Sequence, residues 1–267
     1  MSNLTPNPHD LPSDPRLKSP STYDAETIVN ALSNFYERLP HIDPSDVRRA
    51  PAGGWPQITS ESVAARGLRK TPEAVDLLRH LPYIEGRENC WIAPDAYPID
   101  YRAVVTATSG NRPFVWELAS SVNRFPPWVI QLTTGDGSSS ANYMLDTTDG
   151  TVTEYVASGP VYPDPPGLYP KDDPRAWRDE WCNDVTMPLQ DLVGEWLQEY
   201  RTLKFLGMPG KKSWPGVLRH PEEEGGFMWD ETEAMRKIYA DHGWPDKYRG
   251  EDCREALLQW WEDRRQK

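Results

Sequence analysis

The sequence predicts an α+β fold, a mostly antiparallel sheet flanked by helices with a C-terminal helical extension. Three observations carry that expectation. Apolar residues recur at helical spacing over 24–39, 71–81 and 186–206. Short β-branched and aromatic runs fill 101–107, 113–119 and 128–133, and a hairpin pattern follows over 141–146 and 151–156. Beyond residue 216 the helical period returns, so helices bracket the strands instead of alternating with them.

Residues 1–20 hold Pro6, Pro8, Pro12, Pro15 and Pro20 among polar neighbours, and read as a disordered arm with too little apolar surface to offset ordering. Order is expected from Ser21. Ser21 and Asp24 have capping-box spacing, and Ile28, Leu32, Phe35 and Leu39 share one face until Pro40. A second helix is announced by Thr71 as N-cap and Pro72 at the first helical position; its stripe is Ala74, Leu77, Leu78 and Leu81. Strands are expected at 101–107, 113–119 and 128–133. A hairpin joins 141–146 to 151–156 through Thr147-Thr148-Asp149-Gly150, whose Asp-Gly step suits a tight turn.

Residues 159–174 are Pro-rich and read as a surface loop. A long helix is expected to open near Thr186 and Pro188 and close at Gly207, with Leu189, Leu192, Val193, Trp196, Leu197, Tyr200 and Leu203 on its apolar face. Two further helices are expected, one from Asp230 with Glu233 in capping-box register to about Gly243, the other over 251–265 with Ala256, Leu257, Trp260 and Trp261 inward. The domain reading is an arm at 1–20, an α+β domain at 21–212, and a helical tail at 213–267 packed back on it. Two short helices bury too little surface to stand alone.

Composition narrows the function classes. There are 41 acidic and 29 basic residues, a formal net charge of −12. Nucleic acid is excluded as an expected partner, because binding it rests on Lys and Arg replacing counterions. A basic protein partner would be steered toward such a surface. Cys90, Cys182 and Cys253 are far apart and odd in number, which argues against a disulfide framework or a paired-cysteine metal knuckle. The five histidines lack metal-ligand spacing, so no metal or other cofactor is expected. His80 and His242 fall at expected helix C-termini, where the helix dipole favours them. Nothing reads as a signal peptide or membrane span, and a cytoplasmic or nuclear location is expected.

The Gly/Ser-rich run 134–140 lacks the Lys and the following helix of a phosphate cradle, and Asp136 would repel phosphate. A nucleophile elbow is missing, and with so many carboxylates a candidate acid–base pair carries no weight. The 12 tryptophans are the informative excess. Trp196, Trp260 and Trp261 read as core. Trp55, Trp214 and Trp244 each precede proline in expected loops, and Trp177 and Trp181 lie in charged context before the long helix. Exposed rings there could dock a peptide or stack on sugars. Trp55, Asp136, Trp177 and Trp181 are the residues expected to meet a partner.

The run 128–156, WVIQLTTGDGSSSANYMLDTTDGTVTEYV, resembles the SUKH superfamily in its strand, Gly/Asp/Ser loop, strand ending in Leu-Asp, Gly-containing turn and strand. The superfamily includes fungal cell-wall-synthesis regulators and bacterial immunity proteins. The helices at 24–39 and 188–206 fall where the family places its opening and closing helices; the segments 40–70 and 157–185 and the tail depart from its pattern. The resemblance implies a non-catalytic binding or scaffold module with a protein partner. It also lends association to a glycan ligand. The rival expectation is a small-molecule- or glycan-modifying enzyme with a Trp-lined pocket and carboxylate acid–base groups.

Overall fold

The computed structural model describes residues 11–85, 90–107, 115, 125–135, 140–156, 168–170, 172–179, 182–210 and 216–266, without the side chains of 182–184. In chain order its elements are α1 (Ala25–Glu37), β1 (Val47–Arg48), α2 (Ser60–Ala65), α3 (Pro72–His80), β2 (Tyr83–Ile84), β3 (Tyr97–Pro98), α4 (Tyr101–Thr106), β4 (Val129–Gln131), β5 (Thr133–Thr134), β6 (Ala141–Asp146), β7 (Thr151–Val156), β8 (Cys182–Pro188), α5 (Leu189–Arg201), β9 (Phe205–Gly207), β10 (Val217–Arg219), α6 (Trp229–Asp241) and α7 (Gly250–Arg265). The fold is α+β. Its centre is a four-stranded antiparallel sheet in the order β4-β6-β7-β8, and three short antiparallel pairs (β1 with β2, β3 with β5, β9 with β10) surround it.

Side chains alternate across the sheet and build two cores. Ile130, Tyr143, Leu145, Val152 and Met187 face the main core under α1 and α5. There Trp196 of α5 meets Phe35 of α1 at 5.6 Å and Tyr143 of β6 at 4.8 Å between ring centroids. Val129, Met144 and Tyr155 face the other way, into a smaller core with Phe125 and Trp177. That second face also buries Gln131, Asn142, Thr153 and Thr186. These are satisfied locally: the Gln131 amide donates to the Thr133 carbonyl at 2.9 Å, and the Thr153 and Thr186 hydroxyls meet across the β7–β8 pair at 3.0 Å.

Several expected elements form as the sequence indicates. Thr71 caps α3 through its hydroxyl, and Ala74, Leu77, Leu78 and Leu81 are buried. The 141–146/151–156 hairpin has Met144 opposite Thr153, and Gly150 takes φ +74° in its turn. The α1 stripe is buried, but the cap is Asp24, which accepts the Thr27 amide at 2.6 Å, and not Ser21. Other expectations fail. Of the expected strand 101–107, Tyr101–Thr106 form helix α4 instead, because Asp100 caps the first turn through the Arg102 amide and the Tyr101 hydroxyl anchors to the Gln131 carbonyl. Of the expected strand 113–119, all but Val115 lies outside the described residues, as does most of 159–174. Thr186 to Pro188 belong to β8, whose ladder to β7 continues up to the first residue of α5. Met228, in the left-handed region, precedes α6 without any side-chain cap, so Asp230 and Glu233 form no capping box.

The tail lies against the far end of the main core. Tyr239 donates its hydroxyl to the Gly207 carbonyl at 2.6 Å, Tyr248 to the Pro40 carbonyl at 2.8 Å, and the Trp244 indole to the Tyr200 carbonyl at 3.0 Å. Met235, Tyr239, Cys253 and Leu257 pack with Leu206 and Met208 in a third cluster. Trp260 and Trp261 lie with ring centroids 6.0 Å apart and planes tilted by 44°, both half-buried. Among the described residues, no helix is long and apolar enough to cross a membrane.

Candidate functional site

Two features stand apart from ordinary packing. The first is a buried ionic centre on the second face of the sheet. Arg178 ends a single turn of 3-10 helix, Ala176–Arg178, and its side chain is fully buried. One guanidinium nitrogen donates to Asp146 at the end of β6 and to Asp149 in the hairpin turn, each at 2.8 Å; the other reaches Asp14 at 3.0 Å. A buried guanidinium is tolerated only when paired in this way. Burial works against its charge, yet Asp146 and Asp149 hold its pKa above the ordinary arginine value. Burial pushes the Asp146 carboxyl up, and Asp149 adds to this while Arg178 opposes it. Asp14 moves the other way. Burial would raise it, but the Arg16 amide and the Arg178 and Arg16 guanidiniums hold it below its ordinary value.

The arm thus contributes to this centre. Residues 1–10 of the expected disordered arm lie outside the described residues; of 11–20, Asp14 is buried, Leu11, Arg16 and Leu17 are half-buried and the rest are exposed. Composition could not reveal this, because the segment is held by polar groups and not by apolar burial. Arg16 pairs with Asp179 and lies 3.5 Å from the Thr186 hydroxyl; Arg175 donates to the Pro12 carbonyl at 2.6 Å. Both guanidiniums lie over the ring of Tyr169. One sequence signal was available. The tripeptide Asp-Pro-Arg occurs twice, at 14–16 and 173–175, and both copies fold into the same turn. In each, the Asp carboxylate accepts the Arg amide (2.9 and 2.8 Å) and the Asp carbonyl accepts the amide one residue further on (3.0 Å in both). Proline presets the turn and Asp closes it.

The second feature is the loop 221–228 between β10 and α6. Phe227 is 82% exposed, far more than Leu168 at 52% or Leu258 at 40%. Glu222, Glu223, Glu224 and Asp230 around it in sequence are exposed as well. The loop turns through Gly225 at φ +77°, and its base is clamped. His220 packs on the Trp229 ring at 4.8 Å, sets Nδ1 against the Thr232 hydroxyl at 2.9 Å, and accepts from Arg236 at Nε2, also 2.9 Å. Burial and then Arg236 lower the His220 pKa, which fits a neutral ring.

Of the expected partner-binding residues, the two described pack against different cores. Trp55 is half-buried, its indole donating to the Leu81 carbonyl at 2.9 Å, with the Arg102 guanidinium 4.5 Å from its ring centre. Trp177 is buried in the small core. Asp136 and Trp181 lie outside the described residues. The two described rings are committed to the fold, and Phe227, which sequence reasoning did not single out, is the most exposed large hydrophobic side chain among the described residues. His80 and His242 each close a helix by bonding the carbonyl four residues back, Asp76 and Ile238. No family model, curated protein or solved structure matches the chain.

Proposed function

We propose that the chain is a non-catalytic protein-interaction module that presents Phe227, within its acidic loop, to a partner with an apolar pocket bordered by basic residues. The exposure of Phe227 carries this reading. Aromatic anchors that fill a pocket dominate interface energetics, and burying one such ring is worth roughly 1.5–3 kcal/mol. A fold gains nothing from leaving that ring in water. The carboxylates at 222–224 and 230 add charge complementarity, which speeds encounter with a basic partner and selects against acidic ones. The tail as a whole carries the same sign, with 13 acidic against 8 basic residues over 222–267.

The resemblance of residues 128–156 to the SUKH superfamily supports the same class of function, since its members are generally binding or scaffold proteins. The direct test is a photoreactive phenylalanine analogue at 227, with the same analogue at 168 as control. Crosslinks to one protein from position 227 alone support the reading. Equal, diffuse labelling from both positions counts against it.

A further inference from the structure

We propose that the core carries a recognition site for a turn-forming Asp-Pro-Arg segment, and that the chain's own residues 11–17 occupy it as an exchangeable ligand. Both charged side chains of the segment and one of its carbonyls meet a receiving group. The Asp14 carboxylate is bound by Arg178, the Arg16 guanidinium by Asp179 beside Thr186, and the Pro12 carbonyl by Arg175. The Tyr169 ring lies under Arg16 and Arg175. A carboxylate and a guanidinium two residues apart, set by proline into one turn, are read by a cation and an anion at matching positions. Such charge-assisted contacts give geometric specificity.

The receptor is assembled without the arm. Arg178 is already neutralised by Asp146 and Asp149, both from the β6–β7 hairpin. Arg175 is fixed by its own Asp173, which takes its guanidinium at two points, each 3.0 Å. Asp14 is a third carboxylate: Asp146 and Asp149 balance the charge of Arg178 through one terminal nitrogen, and Asp14 takes the other, as a ligand would. The arm joins the core through exposed Lys18, Ser19 and Pro20, so the segment is tethered by a short solvent-facing strand rather than woven into an element. A tether of this kind holds the segment at high effective concentration yet leaves the site open to a second source of the same motif, above all the arm of another copy.

The test uses the full chain with a protease site inserted between Lys18 and Ser19. After cleavage, fragment 1–18 is expected to stay bound through gel filtration. A fluorescent peptide of residues 9–18 should then replace it, reaching the same end point from either direction. Peptides with D14A or R16A should compete about tenfold or more weakly, since each leaves a receiving charge without its partner. Substituted peptides that compete as well as the natural one would overturn the proposal. So would a core that keeps its tryptophan near-ultraviolet signal after the fragment leaves but takes up no peptide. A core that unfolds on cleavage would overturn it too, making 11–17 a structural strand and not a ligand.

Discussion

Arg178 is the largest fully buried side chain among the described residues, and two of its three carboxylates likewise have no exposed side-chain surface. Removing the guanidinium strands buried anions, so Arg178→Ala is expected to cost about 3–5 kcal/mol in chemical denaturation. Asp14→Ala leaves Asp146 and Asp149 to balance the charge but one terminal nitrogen of Arg178 without its acceptor, and should cost less, about 1–2 kcal/mol. The two buried carboxylates respond oppositely to acid. Asp14 titrates lower in the fold than unfolded, so its contribution is complete above the ordinary Asp value of 3.8 and lost as pH falls through the folded value. Asp146 titrates higher in the fold, so its ionisation costs stability as pH rises through that raised value, and protonating it is partly relieving. Asp146→Asn should accordingly be milder than Arg178→Ala and flatten the stability profile above pH 3.8. None of these pairings is legible from sequence patterns: Arg178 lies 164, 32 and 29 positions from its partners. What could be read was the repeated Asp-Pro-Arg, whose turn is local and set by two residue types.

At the scale of elements, sequence reasoning succeeded where periodicity and capping agree. The Thr71-Pro72 start of α3 and the buried stripes of α1 and α3 are local signals, satisfied by any core they face. It failed where tertiary contacts decide. Residues 101–106 contain the β-favouring Tyr101, Val104 and Val105, yet Asp100 starts a helix and the main core accepts those side chains on a helical face. Strand β8 was hidden because its pairing with β7 is set by a hairpin whose register is fixed elsewhere. The close approach of β9 to His41 gives a sharp test. A Cβ on Gly207 would sit 1.9 Å from the imidazole, which is itself buried and stacked on Tyr200. Gly207→Ala is expected to cost about 1–3 kcal/mol, or more if His41 has nowhere to move. The α6 clamp makes a pH prediction. His220 titrates below its ordinary 6.5 in the fold, so its contribution is full above that pH and declines as pH falls toward the lowered value. Hydrogen exchange at the first turn of α6 should quicken over that interval, and His220→Gln should weaken the dependence.

Across the whole molecule, the tail is tied to the core by Tyr239, Trp244 and Tyr248 and by the cluster around Leu257. Truncation at Gly216 should lower the melting temperature, and Leu257→Ala should cost about 2–5 kcal/mol. Trp260→Ala should cost less than a buried tryptophan would, because that ring is only half-covered. With the tail fixed in this way, the loop that carries Phe227 is held at one place on the surface and can act as a rigid anchor. The central claim is tested most directly by capture from native cells with three full-length baits, the natural chain, Phe227→Ala and Leu168→Ser, after checking that their melting temperatures agree. The account predicts that one protein with a basic surface is retained by the natural chain and by Leu168→Ser and drops at least about tenfold with Phe227→Ala. Equal retention by Phe227→Ala and the natural chain would contradict it.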